Sequence, residues 1–118
     1  MINFKPELVT LLKQVNNNVA ESWTDEWTRT PIIIYEEEAN EPYTLATKGE
    51  VLTLLRYRID IYSKSSTSSL KLAINDKLTE RGFTRLQSID NNDENWRHSI
   101  MRFEGVIDLT TKKIFKNK

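Results

Sequence analysis

Residues 51–63, VLTLLRYRIDIYS, constrain this chain more than any other stretch. Val51, Leu55, Tyr57, Ile59 and Ile61 occupy one set of alternate positions, with Thr53 the sole polar member. Leu52, Leu54, Arg56, Arg58, Asp60 and Tyr62 occupy the other. An apolar group at every second residue is the period of a β-strand with one buried face, whereas a helix would scatter these groups around its axis. The chain must therefore build a sheet and cover one side of it.

Two helical stripes can supply the cover. Leu8, Leu11, Leu12 and Val15 recur at helical spacing behind Pro6 and Glu7, which both suit a first helical turn. Leu70, Ala73, Ile74 and Leu78 form the second stripe, and Gly82 stands where a helix ends. The serine-rich link over 64–69 offers hydroxyls to cap that helix. Asn16, Asn17 and Asn18 read as a stop for the first helix, and Val19, Trp23 and Trp27 at spacing four read as a further short helix.

The remaining strands follow from β-branched density and turn chemistry. Pro31 leads a strand over residues 32–35, and the polar, acidic stretch 36–50 reads as a long mobile loop. A strand over 83–90, an Asx-rich turn at 91–95 and a strand over 96–108 come next, then a short terminal strand over 113–116. On the 96–108 strand Met101, Phe103 and Ile107 oppose His98, Arg102 and Glu104. The expected fold is α+β: one domain over 1–118, a mostly antiparallel sheet, and two helices packed on one face. Leu55, Ile59, Ile61, Ile74, Leu78, Met101 and Phe103 are its expected core.

Composition narrows the chemistry. The chain holds no cysteine and one histidine, His98, so disulfide scaffolds, thiolate metal sites and cysteine nucleophiles are excluded. The apolar run Ile32-Ile33-Ile34-Tyr35 is too short to cross a bilayer, and the N-terminus lacks the pattern of a secretory leader, so a cytoplasmic compartment is expected. Net charge is zero but unevenly spread. Residues 1–50 carry nine acidic and four basic groups, a net of −5; residues 51–118 carry thirteen basic and eight acidic, a net of +5. A neutral total does not suit a protein that grips duplex nucleic acid through unpaired Lys and Arg. The two halves can neutralise each other inside one monomer, or pair between copies.

No catalytic motif stands up. Ser68-Ser69-Leu70-Lys71 matches S-x-x-K, without the partner motifs of that acyl-enzyme class. Asp90, Asn92 and Glu94 alternate like calcium ligands, but the tight-turn glycine and the closing glutamate are missing. Glu94 and His98 are too few for a metal centre. Glu36, Glu37, Glu38 and Glu41 are not distinguished from a solvated acidic segment. Arg56 and Arg58 share a strand face and could grip phosphate or carboxylate, with Asp60 beside them as the simpler partner. Trp23 and Trp27, one turn apart, suit packing or an interface better than a stacking platform. Neither a catalytic residue nor a cofactor or metal ligand is assigned.

The segments Pro31-Ile32-Ile33-Ile34-Tyr35, Tyr57-Arg58-Ile59-Asp60-Ile61-Tyr62-Ser63-Lys64, Gly82-Phe83 and Arg102-Phe103-Glu104-Gly105-Val106-Ile107-Asp108 form a familiar series. With the helix between them, they resemble the tail completion and tail terminator proteins of long-tailed bacteriophages and prophages. Trp23-Thr24-Asp25-Glu26-Trp27 departs from that pattern. The resemblance implies a structural virion protein, assembled in the host cytoplasm. Copies would form a ring, typically six-fold, that caps the tail tube and forms the head–tail joining surface. Its implied partners are further copies of itself, the tail tube protein and a head-completion or neck protein, with no membrane and no sequence-specific nucleic acid. Candidate interface residues are Trp23, Trp27, Glu36, Glu37, Glu38 and Glu41 against Arg56, Arg58, Arg97 and Arg102. The alternative is a small bacterial α+β module that binds a ligand or peptide; a small hydrolase or transferase is a third.

Overall fold

A computed structural model describes residues 1–22, 29–43 and 51–115. The order is α1 (Lys5–Lys13), β1 (Val19–Glu21), β2 (Ile32–Pro42), β3 (Leu52–Ser63), α2 (Ser68–Arg81), β4 (Thr84–Asp90), β5 (Arg97–Asp108) and β6 (Ile114–Phe115). The six strands form one sheet in the order β1-β2-β3-β5-β4, with β6 beside β5. Every pairing is antiparallel except β1 with β2. The fold is α+β, with the helices against the sheet, as the sequence pattern requires.

The alternation along β3 decides the layering. Leu55, Tyr57, Ile59 and Ile61 are each 0–1% exposed. They share one cluster with Leu8 and Leu12 of α1, Ile74 and Leu78 of α2, and Met101, Phe103 and Ile107 of β5. All seven expected core residues lie in it. Each fully buried aliphatic side chain there contributes roughly 1.5–3 kcal/mol, so this face holds the domain together.

Two expectations give way to tertiary pairing. The first strand does not stop at Tyr35. β2 runs on to Pro42, paired with β3 through a bulge between Glu37 and Ala39. Main-chain hydrogen bonds to β3 hold this acidic segment in a sheet that its composition does not favour. Of the loop expected over 36–50, residues 36–42 are strand, and 44–50 lie outside the described residues. Val19, read as the start of a short helix, instead begins β1, which lies parallel to residues 33–35.

Local chemistry at the helix ends also differs from expectation. No asparagine after α1 takes a left-handed conformation. Asn16 Nδ2 instead donates to the Pro31 carbonyl at 2.9 Å, and Asn18 Nδ2 donates to the Arg29 carbonyl. These bonds tie the exit of α1 to the lead-in of β2. At the N-cap of α2, the Thr67 hydroxyl makes no cap bond and lies 2.6 Å from Ser99 Oγ on β5. Ser66 Oγ of the serine-rich link does accept from the first helical N–H, that of Ser68, at 3.3 Å, as expected. Gly82 does end α2, at φ +119°. The turn before β5 is Asx-built: Asp93 Oδ1 accepts from the Asn95 and Trp96 N–H groups at 2.8 and 2.7 Å.

Candidate functional site

The sheet face opposite the helices carries the polar members of the long strands. Register sets their neighbours: Glu36 is opposite Arg58, Arg58 opposite Arg102, and Arg56 opposite Glu104. A sheet places such directly opposed side chains within contact range. Arg56 Nε donates to Glu104 Oε2 at 2.9 Å. Arg58 makes a two-pronged contact along its own strand, Nε to Asp60 Oδ1 at 2.7 Å and an Nη2 bond to Oδ2 at 3.0 Å. That bond raises the Arg58 pKa further above its ordinary value. Arg102 faces Arg58 without a shared anion; it turns to Glu38 at 3.1 Å and to Gln87 at 2.6 Å.

A denser cluster closes one end of this face. His98 Nε2 lies 2.7 Å from Asp60 Oδ2, and the imidazole stacks on the Tyr62 ring with centroids 4.0 Å apart. Burial, with the Asp60 charge adding to it, pushes the Tyr62 phenol up to about 12. Ile32, Ile34 and Tyr62 form a second small apolar cluster there, against Ala20 and Trp96. A cleft of about 120 Å³ lies between Ile34, Glu36, Arg58, Asp60 and Tyr62. That is below the roughly 300 Å³ at which small-molecule sites begin. His98, expected on a solvent face, is in fact largely covered.

The sequence-selected residues do not form one patch. Glu36 and Arg58 border the cleft, and Arg56 and Arg102 lie on the same face. Glu37 lies elsewhere: it accepts a 2.8 Å hydrogen bond from Tyr57 Oη, a residue of the helix-covered core. Glu38 sits at the bulge and Glu41 is exposed opposite Leu54. Arg97 is opposite Ser63 and lines a polar cleft with Lys64, the 65–68 link, Asp90 and Asn92. Trp23 and Trp27 lie outside the described residues. Arg102 with Glu38, and Arg81 with Glu7, join the basic half of the chain to the acidic half within one molecule.

The sequence reading passed over a relay at the same end of the sheet, on its helix-covered side. Ser99 Oγ, fully buried, donates to Asp90 Oδ1 at 2.7 Å, and Lys71 Nζ reaches the same oxygen at 3.0 Å. The Ser99 and Lys71 hydrogen bonds hold the Asp90 carboxyl below its ordinary pKa. Only the pairing of Asp90 with Ser99 across β4 and β5 brings these groups together, so no local sequence signal marks them.

Among the described residues, no three His, Cys, Asp or Glu side chains gather as a metal site. Among the same residues, no helix is long and apolar enough to cross a membrane. No family model matches this chain, and no curated protein matches it significantly.

Proposed function

We propose that this chain is a structural virion protein of the tail terminator kind, which caps a phage or prophage tail tube as a ring and forms its head-facing surface. The resemblance carried by residues 31–35, 57–64, 82–83 and 102–108 is the origin of the reading. One structural observation supports it. The arginines of the sheet face opposite the helices are spent on carboxylates of the same chain, Arg56 on Glu104, Arg58 on Asp60 and Arg102 on Glu38. A face so neutralised suits broad contact with protein better than capture of a small anion. The partners of this reading are further copies of the chain, a tail tube protein and a neck protein.

The test uses the full chain with purified tail tubes whose ends are uncapped. Electron microscopy should show one added ring at the tube end, and elongation should stop. Tubes that keep growing and bear no added density at any protein concentration would refute the reading. That outcome, with a strict monomer that binds a small ligand or peptide, would support the binding-module alternative.

A further inference from the structure

The outer side of β4 is an open edge. Among the described residues no strand pairs with it, since β4 ends the path β1-β2-β3-β5-β4. Asn91 N–H donates to the His98 carbonyl at 2.8 Å, and Ile89 and Gln87 are in register with Ile100 and Arg102. By antiparallel alternation, the main-chain groups of those residues turn toward β5, and those of Ser88 and Asp90 turn outward. Natural edges are usually blunted by charge, proline or a bulge, and β4 has a bulge between Arg85 and Gln87. The edge also carries Leu86 at 50% and Ile89 at 43% exposure, and Leu72, on the turn of α2 above it, is 66% exposed.

We propose that the free protein pairs β4 with β4 of a second copy, antiparallel about a two-fold axis at Ser88. The strand is complementary to itself in that register. Ser88 exchanges both main-chain hydrogen bonds with its counterpart, the alternation a two-fold axis requires. Asp90 of each copy then comes to the Arg85–Leu86 step of the other. Arg85 and Asp90 both lie on the helix side, where Arg85 reaches Asn75 and Asp90 reaches Lys71 of α2. Each end of the contact thus sets the carboxylate of one copy against the guanidinium of the other, with the exposed apolar Leu86 and Ile89 between the two ends. The two sheets become one. This contact is isologous and closes on itself, so it does not build the ring; it belongs to the protein away from the tail.

Sedimentation of the full chain across concentration should give a monomer–dimer equilibrium. Replacing both edge residues, Leu86→Lys with Ile89→Lys, should weaken it by about tenfold or more while the exposed positions leave the fold intact. The chain has no cysteine, so Ser88→Cys gives a direct readout. Across an antiparallel hydrogen-bonded pair the Cα atoms stand about 5.5 Å apart, within disulfide reach. Under mild oxidation Ser88→Cys should form covalent dimers, and a Ser69→Cys control should remain monomeric. A wild-type monomer at every concentration, or Ser88→Cys cross-linking no better than the control, would overturn the pairing. Neither result bears on whether the chain caps tail tubes.

Discussion

The Tyr57 hydroxyl donates a 2.8 Å hydrogen bond to Glu37, and the two residues stand directly opposite each other on β3 and β2. Tyr57 is 1% exposed, packed near the rings of Phe4 and Phe83. Its burial first, and then the bond to Glu37, drive the phenol pKa far above its ordinary value. A raised phenol pKa favours folding below the ordinary tyrosine value of about 10, and that contribution is lost as pH climbs beyond it. Spectrophotometric titration of the folded protein should therefore leave Tyr57 un-ionised until the chain unfolds in alkali. Tyr57→Phe should cost about 1.5–3 kcal/mol in denaturant melts, the range for a bond to a charged acceptor. Ordinary titration of all tyrosines in the folded state would contradict this burial.

Ile59→Asp should abolish folding. Ile59 has no exposed surface and sits at the centre of the helix-covered cluster. An unpaired carboxylate there costs more than about 4 kcal/mol, a large part of the stability of a small domain. A cooperative melt near the wild-type temperature would mean that the faces of β3 are reversed.

Gly82→Ala should destabilise by at least about 2 kcal/mol. Gly82 has φ +119°, and a Cβ added there would meet the Ile114 carbonyl oxygen at 2.2 Å. The strain would act on both the end of α2 and the seating of β6. Thermal melts measure it, and an unchanged midpoint would show that the two segments do not approach so closely.

Asp90 should contribute a small acid-sensitive increment. Its pKa is lowered by the Ser99 hydroxyl and then by Lys71. A lowered carboxylate pKa stabilises the fold above the ordinary aspartate value of about 3.9, and the contribution is lost as pH falls through the folded value. The side chain is half exposed, so the increment stays under about 1 kcal/mol. Asp90→Asn should lose this increment near neutrality and flatten the stability profile below pH of about 4. A profile of the same shape in both proteins would refute the relay.

Amide exchange should show the second half of β2 as a strand. Tyr43 N–H donates to the Leu52 carbonyl at 2.9 Å, and Ala39 and Glu41 are in register with Arg56 and Leu54. Alternation turns the amides of residues 39, 41 and 43 toward β3 and that of Asn40 away. Slow exchange at 39, 41 and 43 is expected; rapid exchange at all three would restore the loop that the composition of this segment suggests.

Much of the fold was legible because side-chain period reports burial directly. The alternation in 51–63 and the stripe Leu70, Ala73, Ile74 and Leu78 each identify an element and its buried face. The pairing of polar groups was less legible. Arg58 beside Asp60 can be seen in the sequence, being two residues apart on one strand. Arg56 with Glu104 and Asp90 with Ser99 cannot, because strand register sets them.

Sequence by itself determined that a sheet with one apolar face must be covered by two amphipathic helices, since hydrophobic periodicity acts within a few residues. Tertiary structure alone decided where that sheet ends. β2 continues through acidic residues because β3 is there to pair with it, and β4 is left open because no described strand reaches its outer side. Main-chain hydrogen bonding is nearly indifferent to side-chain identity, so the limits of pairing are written in the assembled backbone.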